Sequence, residues 1–365
     1  MNIWLVEPYY GGSHRAWADG YRTHSQHTVR LWTLPGRFWK WRMQGGAITL
    51  AKRAQGCADR PDLIIASSML NLPIFLTLLG DRAAGVPVAL YFHENQLTYP
   101  LRPGEKRDLH YGFIQLVSAL RADAVFFNSA YHQAEFLGAL PNMLKHFPDY
   151  NELWAVESLK RKSAVLPLGL DLVSLDRFRP AEPTTGQPLI LWNHRWEYDK
   201  NPGAFLRAVH RLADEGLEFG LLLLGRSFRN TPKEFLEARR RLSDRILHFG
   251  YVKDRATYAL RLWLADIVVS TAMHDFFGTA VVEACYCGCY PVLPHDLAYP
   301  ELIPEAQHET CLYEDSEGLL ARLRWAISNL QAVRAVSLTE SMARFDWRHM
   351  APIYDARFET AAGMG

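Results

Sequence analysis

The sequence predicts an α/β fold of two Rossmann-like, doubly wound domains facing a central cleft, and three observations carry that prediction. Short apolar runs rich in β-branched residues alternate with longer amphipathic stretches, the pattern of parallel strands covered by helices on both faces. A turn-rich stretch at residues 179–188 parts the alternation into two halves. Polar residues stand at the ends of the strand-like runs, where open α/β sheets bind ligands. With 365 residues the chain is long enough for two cores. The expected domains are residues 1–178 and 186–340, followed by a C-terminal helix at 345–365.

Composition narrows the function classes. The chain is 49% hydrophobic and 22% charged, as in an ordinary globular protein, and a formal net charge of +1 argues against a globally basic nucleic-acid binder while leaving room for a local basic patch. No apolar run reaches bilayer length, and Ile3 to Val6 is already a strand with no signal-peptide design before it, so a cytoplasmic location is expected. The five cysteines suggest no disulfide framework. Cys285, Cys287 and Cys289 crowd one helix end, where small apolar residues pack a helix on a sheet, so buried thiols are expected rather than a metal site lacking its fourth ligand.

In chain order, the first strand ends in a turn from Glu7 to Arg15. Gly11 and Gly12 let backbone pass close to a ligand, and Ser13 is expected to cap a helix from about Arg15. Residues 31–43 interleave Trp39 and Trp41 with Arg37, Lys40 and Arg42. That composition suits single-stranded nucleic acid, a membrane interface, or plain packing under a loop with the cations snorkelling. Asp62 to Ser68 and Val86 to Phe92 are buried strands, the second delivering His93, Glu94, Asn95 and Gln96 to a strand end. A histidine there is either a site residue or a hydrogen-bonded structural one. A loop at 99–112 carries Arg102, Lys106, Arg107 and His110, and a further strand ends at Asn128, with His132 close behind.

The second half opens with the strand Leu189 to Trp192. Its turn holds Arg195 and Lys200 ahead of a helix from about Gly203, a fork and a point charge able to clamp a pyrophosphate. Residues 219–225 and 246–250 are strand-and-turn units, followed by Tyr251 and Val252. The most informative stretch is 266–292. Ile267 to Ser270 reads as a buried parallel strand, and a helix follows from about Ala280, closed by Gly288 with Pro291 beyond. A strand, loop and helix in that order turn free N–H groups toward the strand's carboxyl end, which suits a phosphate or sugar hydroxyls. Asp275 in the loop and Glu283 in the helix can grip different parts of one ligand.

An acid, seven residues and a Glu, with Phe277 and Gly278 inside and Gly288, Pro291 and Val292 after, resembles the signature of retaining GT-B glycosyltransferases of the family-4 type, with Asp275 in place of the first Glu. The first-half stretches Glu7 to His14, Thr33 to Pro35 with Trp39, Trp41 and Arg42, Tyr91 to Gln96, Arg107 and Asp108 with Tyr111 and Gly112, and Phe127 to Ser129 are similar to the glycosyltransferase-like family that includes the tRNA-queuosine mannosyltransferase.

The resemblance implies a GT-B fold and transfer of mannose from GDP-mannose to the cyclopentenediol of queuosine in a tRNA anticodon loop, with retention and without an enzymic nucleophile. It places the donor diphosphate at Gly12, Ser13, Arg195, Lys200, Phe277, Gly278 and Thr279, the nucleotide at Gly225, Tyr251, Val252 and Glu283, and the sugar at His274, Asp275 and Phe276. His93, Asp275 and Glu283 are the implied catalytic residues, His93 facing the anomeric centre. The acceptor falls to Glu94, Asn95, Arg107, His110, Asn128, His132, Trp39, Trp41 and Arg42. Asp275 is one methylene shorter than the family's acid, and His274 beside it supplies the missing reach. No Asp-x-Asp occurs, so no metal and no cofactor beyond the donor is expected. The implied partners are a nucleotide sugar and tRNA, with no membrane. Two other functions fit the same residues: transfer to a lipid-linked or surface polysaccharide acceptor, and a non-catalytic nucleotide-sugar or RNA-binding module.

Overall fold

Twelve short strands form two all-parallel sheets of six in the computed structural model, which describes residues 1–102, 104–182, 186–225 and 231–363. The chain divides into two compact units, residues 1–170 with 347–365 and residues 171–346.

Unit 1 contains β1 (Asn2–Tyr10), β2 (Thr28–Pro35), β3 (Leu63–Ser67), β4 (Val88–Phe92), β5 (Ala124–Phe127) and β6 (Ser163–Val165) in the order β2-β1-β3-β4-β5-β6. Every residue of β3 and β4 is buried, because helices cover both faces, and such strands read as continuous apolar runs. The helices include α1 (Gly12–His24), α2 (Trp39–Gln55), α3 (Leu72–Leu79), α4 (Leu109–Arg121), α5 (Ala130–Leu144) and α6 (Trp154–Lys162). The C-terminal helix, Trp347–Ala361, also belongs to this unit. Tyr21 Oη donates to Asp355 at 2.9 Å, and Tyr354 Oη accepts from Trp17 Nε1 at 3.2 Å and donates to the Pro167 carbonyl at 2.8 Å.

Unit 2 contains β7 (Leu189–Trp192), β8 (Gly220–Leu224), β9 (Ile246–Gly250), β10 (Ile267–Val269), β11 (Tyr290–Pro294) and β12 (Leu312–Tyr313) in the order β12-β11-β10-β7-β8-β9. That is the dinucleotide-fold order, and it reverses direction between β7 and β10. The loops leaving those two strands hold Lys200 and Asp275, so the topology brings the residues together across 75 positions of chain. Helices α7 (Pro202–Asp214), α8 (Lys233–Arg241), α9 (Arg255–Leu264) and α10 (Thr279–Tyr286) flank the sheet.

The division falls between Leu170 and Asp171, ahead of the expected boundary at 178 and of the turn-rich stretch, whose residues 183–185 lie outside the described residues. The reason is local. Residues 173–178 form a short turn of helix held to unit 2 by Trp263 Nε1 on the Leu175 carbonyl at 2.9 Å, and Asp346 Oδ2 accepts from the Leu172 and Val173 amides, each at 2.9 Å. Helix α1 starts earlier than Ser13 could cap it. It runs from Gly12, whose φ of +54° a glycine adopts freely, and Ser13 is exposed in its first turn.

Candidate active site

In unit 2 a buried cation organises the loop after β10. Lys200 Nζ donates to the His274 carbonyl at 2.6 Å and to Asp275 Oδ2 at 3.2 Å, and lies 3.6 Å from Asp199. Tyr299 Oη adds a bond to Asp275 Oδ2 at 3.2 Å. The other oxygen, Oδ1, accepts from the Gly278 amide at 2.9 Å and the Phe277 amide at 3.4 Å. Burial would raise the Asp275 pKa, but Lys200 and the neighbouring histidines reverse the effect and hold it at about 2. Asp275 is therefore ionised and half-buried, with both oxygens engaged.

The Phe277 and Gly278 amides point at Asp275 rather than outward, and the Phe276 and Phe277 rings are buried, against His274 and Phe345 respectively. The uncapped amides of the helix begin one residue later. Gly278, at φ +89°, starts α10 with no side-chain cap and leaves the Thr279 and Ala280 amides at its positive end.

Glu283 is likewise held. Its Oε1 takes Arg255 Nη1 and its Oε2 takes Tyr258 Oη, both at 2.8 Å, and Asn193 donates to the same tyrosine oxygen at 3.4 Å. Arg195 is half exposed and reaches Asp199 at 3.4 Å. Gly225, at φ +132°, allows β8 to pass against the β7 turn, since a Cβ there would lie 2.0 Å from the His194 carbonyl oxygen. His194 itself is buried, and desolvation with nearby Lys200 lowers its pKa to about 4, so it is neutral at neutral pH. Tyr251 is exposed and Val252 half-buried just beyond β9.

In unit 1 the residues at the strand ends divide sharply. Asn95 Oδ1 accepts from the Leu97 and Thr98 amides at 3.0 and 2.9 Å, so its side chain builds the turn. Arg107 clasps the Gln96 and Tyr99 carbonyls, both at 2.7 Å, and burial lowers its pKa. Asn128 donates to the His93 carbonyl at 3.0 Å and meets His132 Nδ1 at 2.8 Å, with His132 fully buried against Phe127. Asn95, Arg107, Asn128 and His132 thus bond within the scaffold. Glu94 is half-buried and accepts from Gln96 Nε2 at 3.0 Å. Arg42 donates to the Pro35 carbonyl at 3.1 Å, and Trp39 packs on Tyr111 at 4.9 Å with Lys40 over both rings. Trp41 and His110 remain exposed, as do Phe38, Lys40 and Lys106.

His93 stands apart. It is 8% exposed, and neither ring nitrogen has a hydrogen-bond partner among the described residues. Its ring lies between His14 at 4.3 Å, Trp17 at 4.6 Å and Tyr91 at 4.9 Å. Desolvation, with His14 and His132 adding to it, holds its pKa well below the usual histidine value. His14 behaves oppositely. Burial alone would lower its pKa, but Glu7, whose Oε2 lies 2.9 Å from His14 Nδ1, raises it.

Residues 2–170 match the tRNA-queuosine alpha-mannosyltransferase N-terminal family and residues 175–337 match Glycosyl transferases group 1, a break that coincides with the division between the units. The tRNA-queuosine alpha-mannosyltransferase of Drosophila melanogaster is 34% identical over 332 residues, 88% of this chain and 86% of that protein. The chain belongs to the tRNA-queuosine alpha-mannosyltransferase family. As a member of that family it is an enzyme, a glycosyltransferase. The GDP-mannose-dependent alpha-(1-6)-phosphatidylinositol dimannoside mannosyltransferase of Mycobacterium tuberculosis is 23% identical over 304 residues, covering 80% of this chain and 72% of that protein. Sucrose-phosphate synthase from Thermosynechococcus elongatus superposes over 100% of both chains with a TM-score of 0.73 at 15% identity, a likeness of GT-B fold. Among the described residues, no helix of this tRNA-queuosine alpha-mannosyltransferase family member is long and apolar enough to cross a membrane.

Sequence reasoning missed Glu7, His14, His194, Arg255, Tyr258 and Tyr299, each of which touches or fixes a residue of these two clusters. One signal was available. Glu7 sits in an otherwise apolar strand, and an acid buried there needs a partner.

Proposed function

We propose that the chain transfers mannose from GDP-mannose to the cyclopentenediol of queuosine in a tRNA anticodon loop, with retention of configuration and no metal. The observation that supports this most is that the family match over residues 2–170 takes in nearly the whole of unit 1's main segment, the half assigned to the acceptor. In the reaction the bond from the anomeric carbon to the leaving phosphate oxygen breaks and a bond to the acceptor hydroxyl oxygen forms, while the hydroxyl proton passes to the leaving phosphate.

On this reading Lys200, Arg195 and the amides of Thr279 and Ala280 take the charge growing on the diphosphate. Lys200 is already fixed by Asp275 and the His274 carbonyl, so little reorganisation accompanies the reaction. Glu283, oriented by Arg255 and Tyr258, accepts from the ribose. His93, neutral at neutral pH, presents a nitrogen to the sugar without opposing the positive charge that develops on its ring.

The test is transfer of radiolabelled GDP-mannose, in chelator, to tRNA pools with and without queuosine. Label confined to the queuosine-containing pool is the expected result. A lipid acceptor is the second reading, supported by the 72% and 60% exposure of Phe38 and Trp41 beside Arg37 and Lys40. Label on neither tRNA pool but on lipid extract would overturn the first reading in its favour.

A further inference from the structure

Glu7, His14 and His93 converge in unit 1, and one ligand-capable atom from each lies within 4.8 Å of the other two. All three side chains are buried. Two imidazoles and one carboxylate are a donor set that zinc-class ions take in three-ligand sites, completing the shell with water.

A second, independent feature points to a ligand. A buried polar group almost always finds a partner, yet His93 is 8% exposed and leaves both ring nitrogens without one among the described residues. Its ring packs against those of His14, Trp17 and Tyr91. Glu7 is pinned through Oε1, which accepts from the Tyr9 amide at 2.7 Å, and its Oε2 shares a proton with His14 Nδ1 at 2.9 Å. Zinc bonds nitrogen and oxygen at about 2.0–2.2 Å, so the three donors need to draw together by roughly an ångström. Magnesium prefers an octahedron of oxygens and does not suit this set.

We propose that Glu7, His14 and His93 form a site for one divalent transition-metal ion of the zinc class, taken up in exchange for the proton shared by Glu7 and His14, and that occupation removes His93 from sugar transfer. The displaced proton goes to solvent. The inhibitory half rests on the function proposed above; the binding half does not.

The experiment is titration of the chelator-stripped full chain with Zn²⁺ by calorimetry, together with visible absorption of the Co²⁺ form. One ion per chain is expected in the wild type, with affinity at least ten-fold weaker in His14→Ala and in His93→Phe. Thermal melts show whether each variant is folded. His295→Ala serves as a control, since His295 lies near His308 and pairs with Glu314 at 2.6 Å elsewhere in the chain. Its affinity should be unchanged. Absent Zn²⁺ binding, or binding kept in both folded variants, overturns the site and leaves the transfer reading standing. Stoichiometric binding with undiminished transfer overturns the inhibitory half and, with it, the role of His93.

Discussion

In unit 2 the buried Lys200 meets a carbonyl and two carboxylates, whereas in unit 1 the buried His93 meets no hydrogen-bond partner among the described residues. Both follow a parallel strand in chain order, and physical chemistry explains the contrast. A buried ammonium without counter-charge is prohibitive. An imidazole escapes by giving up its proton, as the lowered pKa of His93 indicates, and then costs only the hydrogen bonds it forgoes. Unit 2 thus keeps its charges and fixes them in advance, while unit 1 keeps a neutral, uncommitted donor and acceptor.

The largest effect is expected where that charge is removed. Lys200→Met leaves the half-buried Asp275 without its cation and Asp199 with Arg195 alone, and should destabilise unit 2 by about 3 kcal/mol as well as lowering transfer by on the order of a thousand-fold. Urea unfolding at pH 7 followed by Trp fluorescence measures the first. The sign with pH follows from the depressed pKa. The Asp275 contribution is complete above its unfolded value of about 3.9 and is lost as pH falls toward its folded value of about 2. Wild-type stability should therefore drop across that window, and Lys200→Met should flatten the drop. A variant as stable as wild type at pH 7 would break the contrast between the units.

His93→Phe tests the other side. Replacing a buried imidazole that forgoes its hydrogen bonds with a ring of similar shape should leave stability within about 1 kcal/mol of wild type, or raise it. Transfer should fall on the order of a hundred-fold. A loss of stability equal to that of Lys200→Met would mean His93 is a structural residue.

What could be read from sequence follows from the same physics. Buried parallel strands such as Val88–Phe92 and Ile267–Val269 are apolar throughout, so both sheets were legible. Helix starts were less so. Tyr111 and Gly112 were read into a loop, but Asp108 caps a helix that begins at Leu109. At the site, the spacing from Asp275 to Glu283 was visible, whereas the bond from Asp275 to Lys200, 75 positions away, and the use of Asp275 by its own loop amides exist only in the folded chain. The acceptor residues are hardest to read, because a polar side chain at a strand end reads the same whether it faces a ligand or its own backbone. Asn95 and Asn128 face the backbone.

The smallest effect separates two adjacent cations that sequence alone makes equivalent. Lys106 is exposed, while Arg107 spends its guanidinium on two carbonyls. If tRNA lies on this loop, neutralising a phosphate-contacting cation should reduce the slope of log affinity against log salt by about 0.7–0.9. Lys106→Met should show that reduction at unchanged melting temperature. Arg107→Met should instead lower the melting temperature by freeing the Gln96 and Tyr99 carbonyls, and weaken tRNA binding with the slope unaltered. Equal slope changes in the two variants would show that Arg107 leaves its carbonyls for the phosphate when tRNA binds, and the division between scaffold and ligand-facing polar groups in unit 1 would then hold for the free protein alone.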